Sequence, residues 1–343
     1  MTEAAPPREK RSALSLVVQG TVALAGSVAT LWWALHDVNL TKVAHELADS
    51  DFAVIALFLL GHIVLHTLRI ARWGILVKPL GNVTNGAVAA AGALGFPATF
   101  FLPLRLGEFV RPVLISRAGV PFAGAMASVV VERIADGIAN LAFFFVALSL
   151  IPPGPLLSKL DTVMWLAPTV FGGAFVFLIV ACVARRPAIA LVRKIGTPIS
   201  AKVTEAVVGL LDTFIDGAMV LKSPARLLPF LGLTLVYWVS AGLLAWFLFT
   251  SYLPELPIVS GYFTTGVGAF MIMIPAGPAF AGTLEAGFKL GLEPFGVTPD
   301  GAAVMALAFH AVQLILMALS GAVGFLLVGG LKRATVAPQE TDA

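Results

Sequence analysis

The chain is 343 residues long, 59% hydrophobic and 12% charged, with a mean hydropathy of +0.95 and a formal net charge of +3. Globular domains carry about 25% charged residues, so this composition excludes an ordinary water-soluble domain, and the single Cys182 excludes a disulfide framework. Apolar runs of about 20 residues recur and the short alternating segments of a β-barrel are missing, so the expected class is an all-α, multi-pass membrane protein.

Arg8, Lys10 and Arg11 precede the first apolar run, 13–35, which ends in Trp32 and Trp33. No small-residue cleavage site and soluble domain follow, so the run reads as a retained anchor behind a tail of residues 1–12. Residues 40–51 have amphipathic spacing and are expected along the membrane surface. A second span, 52–70, ends in a basic and aromatic collar of Arg69, Arg72, Trp73 and Lys78. The next apolar segment, 83–104, is interrupted by Pro97 and Pro103 and runs into the charged stretch Leu102–Pro112. The span 121–151 carries Glu132, Arg133 and Asp136 near its middle and stops at Pro152-Pro153-Gly154-Pro155. Beyond it come a span over 163–184 holding Cys182, a more polar surface helix pair over 188–222, and a span over 228–250. The segment 258–283 is broken by Pro275, Gly277, Pro278 and Gly282 and leads to Glu285; a last span, 301–328, precedes the tail 331–343.

This amounts to about six full spans and two broken re-entrant hairpins, or about eight spans if each hairpin is counted as one. With the N-terminus inside and each hairpin returning to its starting side, eighteen of the 22 Lys and Arg residues fall on the cytoplasmic face, together with both termini. Within the membrane domain, 13–330, an offset of 177 residues places Gly119-Val120 on Gly296-Val297, Gly124-Ala125 on Gly301-Ala302 and Glu108 on Glu285. The two stretches, about 13–155 and 160–330, then read as inverted repeats, and broken apolar segments at matching positions of such repeats mark a transporter's substrate site.

Charges inside a bilayer each cost about 2.5–3.5 kcal/mol on insertion scales, so Glu132, Arg133 and Asp136 must face protein or a wet cavity. They either pin helices together or meet a charged substrate. Arg105, Glu108 and Arg111 recur every three residues, and two arginines around one glutamate suit a phosphate; interfacial snorkelling would account for the arginines alone. At the 177-residue offset His310 falls on Arg133 and Gln313 on Asp136, which makes the second half the weaker copy. His62 and His66 are four apart, a metal-binding spacing, but no further ligand has suitable spacing, so packed neutral histidines are expected. No nucleotide-binding, hydrolase-elbow, zincin or C-x-x-C motif occurs, so neither an enzyme nor a cofactor is expected.

Pro103-Leu104-Arg105-Leu106-Gly107-Glu108 with Arg111, Glu132-Arg133 with Asp136, and Pro275 to Pro278 with Gly282 and Glu285 resemble the flippase-like membrane domain of lysylphosphatidylglycerol synthases. The resemblance covers about 13–330 and implies movement of a lipid between leaflets of the cytoplasmic membrane. With only Ala334 to Ala343 beyond the last span, the soluble synthase domain is expected to be missing, and His310 departs from the arginine expected there. The implied substrates are an anionic phospholipid, an aminoacyl lipid or a polyprenyl-phosphate-linked lipid. A second copy of the chain or a lipid-synthesising enzyme are candidate partners, and nucleic acid is not. The expected substrate-binding set is Arg105, Glu108, Arg111, Glu132, Arg133, Asp136, Glu285, His310 and Gln313; the hinge set is Pro97, Pro103, Gly107, Pro275, Gly277, Pro278 and Gly282. The alternative reading is an intramembrane enzyme or accessory subunit of envelope-lipid synthesis, with Glu108 and Glu132 as acid and base; a scaffold is the third.

Overall fold

The computed structural model describes residues 25, 28–151, 169, 170, 172, 173, 176, 184–198, 200–218, 222–274 and 277–336, without the side chains of 103–105, 188, 202 and 329–336. Most of the first span and of the span at 163–184, the stop at 152–155, Cys182, Pro275 and the side chains of Pro103 and Arg105 lie outside the described residues. All regular structure among the described residues is helical.

The amphipathic stretch forms α1 (Leu40–Ala48), started by the Asn39 side chain accepting the Lys42 N–H. Asp51 caps the long helix α2 (Phe52–Val77) in the same way through the Ala53 N–H. Thr84 caps α3 (Asn85–Phe101), which ends at an extended Leu102 and passes through a 3₁₀ segment, Pro103–Phe109, into the short α4 (Val110–Ser116). Gly119, at φ +104°, turns the chain into α5 (Phe122–Ser149). The polar region forms the expected helix pair, α6 (Arg185–Gly196) and α7 (Ala201–Ala218), joined by Arg193–Glu205 and by Arg185 on Asp212 and Asp216. The Arg193 guanidinium holds the exposed Glu205 carboxyl below the usual carboxylate range.

The second half runs α8 (Pro224–Tyr252), α9 (Ile258–Met271), a 3₁₀ turn Pro278–Phe280, α10 (Thr283–Leu292) and α11 (Pro299–Val336). Among the described residues three segments are long and apolar enough to cross a membrane: α2 with the turn after it, α8, and α11 as far as Val328. Helix α5 is as long, but every 18-residue window of it contains Glu132, Arg133 and Asp136. Leu60, Val64, Leu228, Leu235, Phe325 and Leu326 are more than half exposed, as residues facing lipid would be.

The halves interlock. Helix α3 lies along α11, α2 along α8, and α5 along α9. Small residues permit this: a Cβ at Gly324 would press on Leu94 and the Ala93 backbone, and one at Gly266 on Phe144.

Pro97 is the one expected hinge that does not behave as a break. Helix α3 continues through it to Phe101, and the chain turns at Leu102 instead. A proline here leaves the Ala93 carbonyl without its helical donor. Ser320 Oγ, on α11, donates to that carbonyl at 3.0 Å, which lets the helix carry the proline. With the serine hydrogen so used, His66 Nε2 is the donor in its 2.8 Å bond to Ser320 Oγ. His62 is packed likewise, its Nδ1 3.0 Å from the Phe58 carbonyl.

Candidate functional site

Four elements bring charges to one place in the first half. Helix α5 supplies Glu132, Arg133 and Asp136, α2 supplies Arg69 and Arg72, α4 supplies Arg111, and the 3₁₀ segment supplies Glu108. Glu132 is fully buried and bridges two guanidiniums: Oε1 accepts from Arg72 Nη2 at 3.1 Å and Oε2 from Arg111 Nη1 at 2.7 Å. Arg72 also forks onto Asp136, with Nη1–Oδ1 at 2.6 Å and Nη2–Oδ2 at 2.9 Å. Thr234 and Trp238 of α8 complete that end, Thr234 Oγ1 accepting from Arg72 and Trp238 Nε1 donating to Asp136. Arg133 meets Glu108, Nε to Oε1, at 3.3 Å, and its Nη1 lies 4.0 Å from Asp136 Oδ2.

Two glycines make the arrangement possible. Gly107 folds the 3₁₀ segment directly onto the backbone of Ala98 and Thr99, where a Cβ would collide. Gly95 leaves room on α3 for the Arg111 side chain, which a Cβ there would overlap. Arg111 then lies with its Cζ 4.0 Å from the Phe96 ring centre and 5.2 Å from that of Trp73.

Arg72 and Trp73 correct the expected interfacial collar. Both are completely buried, and α2 continues past them to Val77. A cation at the end of an apolar run looks like a surface anchor unless carboxylates on another span await it. Such a signal was present: Glu132, Arg133 and Asp136 sum to one negative charge in mid-span and need a cation from elsewhere.

In the second half, Glu285 stands on the first turn of α10. Its Oε2 accepts the Gly282 N–H at 2.7 Å, and its Oε1 lies 2.6 Å from His310 Nδ1 of α11. The backbone leading to it is strained at Ala279 and Phe280, at φ 60° and 57°, and then passes through Gly282 at 86°, a conformation that glycine adopts freely. Gly277 and Pro278 lie in this turn, as expected of a break.

A cavity of about 260 Å³ lies between the halves. One part of its wall carries Arg69, Glu108 and Arg133, with Gln313 from α11; Phe280, Phe288, Leu316 and Met317 are among the apolar remainder. Of the expected set, Glu108, Arg133 and Gln313 thus line the space, while Arg111, Glu132, Asp136, Glu285 and His310 are buried and line none of it. Sequence reasoning missed Arg69 as a lining residue. Among the described residues no group of three or more side chains is placed to hold a metal.

The family model for the lysylphosphatidylglycerol synthase TM region matches residues 19–321. The chain belongs to this family. No curated protein and no solved structure matches it. The family match takes in the whole first-half cluster, the Glu285–His310 pair and every residue named on the cavity wall. This lysylphosphatidylglycerol synthase TM-region member is therefore a membrane-embedded protein of a lipid-handling family, with Arg69, Glu108 and Arg133 lining the space between its two interlocked halves.

Proposed function

We propose that the protein moves a lipid with a phosphate-bearing headgroup between the leaflets of the cytoplasmic membrane, passively or coupled to an ion gradient. The observation that carries this reading is the cavity: charged along one part of its wall, apolar over much of the rest, and about 260 Å³ in volume. Pockets for drug-sized ligands run to about 300–1,000 Å³, so this one suits a headgroup whose acyl chains stay in the bilayer. Arg133 meets the phosphate. Arg111, whose Nη1 bonds the buried Glu132, holds the wall behind it instead. The same pairing argues against acid–base catalysis, since Glu132 has both oxygens occupied by guanidiniums.

Two inverted repeats with cytoplasmic termini remain the topology that best fits. Helices α5 and α11 start at Phe122 and Pro299, and each follows a positive-φ glycine, Gly119 or Gly296. Glu108–Arg133 and Glu285–His310 are side-chain contacts at corresponding positions. All three correspondences share the 177-residue offset.

The test is leaflet exchange of fluorescent lipids in vesicles containing the purified protein. Exchange above that of empty vesicles is expected for at least one phosphate-bearing lipid, with a tenfold or greater loss in Arg133→Ala at unchanged protein folding. Exchange no faster than in empty vesicles across several lipid classes would refute the reading.

A further inference from the structure

Three of the four arginines described in the first-half charge cluster have carboxylate partners: Arg72 on Glu132 and Asp136, Arg111 on Glu132, and Arg133 on Glu108. Arg69 has none within ion-pair distance among the described residues. Its Cζ lies 4.1 Å from the Phe96 ring centre, its Nε is buried without a hydrogen-bond partner, and it lines the cavity. A ring face attracts a guanidinium but accepts none of its in-plane hydrogen bonds. Arg133 reaches the same cavity, and its Nη2 also lacks a partner. Two guanidiniums from different helices therefore face one half-apolar space with donors to spare, an arrangement that is costly unless an anion completes it.

Charge balance narrows the anion. Arg69, Arg72, Arg111 and Arg133 stand against Glu108, Glu132 and Asp136, so the described side chains of this first-half cluster carry one surplus positive charge. We propose that Arg69 and Arg133 seat a single phosphodiester and that the site prefers lipid headgroups of net charge minus one. This rests on the lipid-transport reading and narrows its substrate class. A phosphodiester offers two free oxygens sharing one charge, which suits two guanidinium forks and neutralises the site. A phosphomonoester brings up to two charges and places the excess beside Glu108. Cationic aminoacyl and zwitterionic headgroups add an ammonium group. Glu108 is the one carboxylate among the described lining residues, and it is already held by Arg133 at 3.3 Å and approached by Arg111 at 3.7 Å. Glycerophospholipids such as phosphatidylglycerol and polyprenyl-phosphate sugars share the favoured chemistry.

The experiment measures thermal stabilisation of the full chain in detergent by short-chain phosphatidylglycerol, phosphatidylcholine, phosphatidic acid, an aminoacylated phosphatidylglycerol, a polyprenyl-phosphate sugar and inorganic phosphate. Half-maximal stabilisation by phosphatidylglycerol or the polyprenyl-phosphate sugar is expected at a concentration at least tenfold below that of any other lipid, and whichever of the two is lower names the source. Arg69→Ala is expected to raise that concentration tenfold or more while melting normally without lipid, because it breaks no ion pair. If Arg69→Ala fails to fold, Arg69→Lys decides: several-fold weaker binding with the headgroup preference kept supports the seat, and unchanged affinity overturns it. Equal stabilisation by all lipids overturns the proposal, as does stabilisation by inorganic phosphate at the same concentration as by lipid. Leaflet exchange separates the two readings. Exchange indifferent to headgroup refutes this selectivity and leaves transport standing, whereas selective binding without any exchange refutes transport and leaves the seat.

Discussion

The two halves place the same sequence of elements around the cavity but constrain them differently. In the first half the 3₁₀ segment and α4 are tied to α5 by ion pairs, α2 is tied to α5 by another, and no residue described between Leu102 and Ser116 has a positive φ. In the second half the corresponding turn carries two consecutive non-glycine residues at positive φ and one buried contact, Glu285 with His310. One half is held by charge and the other by strained backbone. Strain of this kind persists only where the surroundings enforce it and concentrates at functional and switching segments.

Removing a carboxylate from each half tests that contrast most strongly. Glu132→Ala leaves Arg72 sharing Asp136 alone and strips Arg111 of its close partner, and breaking a buried pair this way costs about 3–5 kcal/mol. Glu285→Ala loses a hydrogen bond to Gly282 N–H and the contact with His310, about 1–3 kcal/mol. Detergent-solubilised variants compared by thermal unfolding should rank in that order. Equal losses would mean that the second half depends on its Glu285 contacts as much as the first depends on its ion pairs.

The reason only part of this was legible in the sequence lies in what each signal needs for its interpretation. Gly107, Glu108, Arg111, Glu132, Arg133 and Asp136 announced themselves because polar groups in apolar runs are costly and so must have partners. The spans expected to begin at 121 and 301 start at Phe122 and Pro299, within two residues, because the apolar runs themselves begin there. Arg72 and Arg69 were hidden because a basic residue closing an apolar run is an ordinary interfacial anchor. The burial of Arg72 depends on carboxylates some sixty residues away, Glu132 and Asp136, and Arg69 lies one turn before it on the same helix. Pro97 was misread for a similar reason: the Ser320 hydroxyl that satisfies the freed Ala93 carbonyl arrives from the other half. Spacing along one helix could not supply either partner.

Relieving the strained turn gives a smaller effect of opposite sign. An alanine in the left-handed region costs about 1–2 kcal/mol, while replacing alanine by glycine loosens the unfolded chain by about 0.4–1 kcal/mol. Ala279→Gly should therefore stabilise the protein by at most about 1.6 kcal/mol in thermal unfolding. If the turn's strain drives a transport step, leaflet exchange should slow in this variant even as its stability rises. A destabilised Ala279→Gly would show that the turn is held by side-chain packing and that the two halves differ less than their backbones suggest.

The smallest effect concerns the tie between the second hairpin and the start of the chain. Lys289, one turn beyond Glu285, donates to Asp37 Oδ1 and Oδ2 at 2.7 and 2.9 Å and to the Trp33 carbonyl at 3.3 Å. Hydrogen bonding from Lys289, with its positive charge, holds the Asp37 carboxyl below the usual carboxylate range. A depressed folded-state pKa contributes stability above the unfolded value of about 3.9, and that contribution is lost as pH falls through the lower folded value. Asp37 is 39% exposed, so solvent screening limits the pair to below about 0.5 kcal/mol. The melting difference between wild type and Lys289→Met should thus be small at pH 7, shrink in high salt, and vanish only below about pH 4. A difference indifferent to both pH and salt would assign Lys289 to packing on Trp33, whose ring centre lies 5.0 Å from Nζ. The pairs around Glu132, which solvent does not reach, should ignore added salt under the same conditions, and that contrast separates ties that salt can loosen from ties that only mutation breaks.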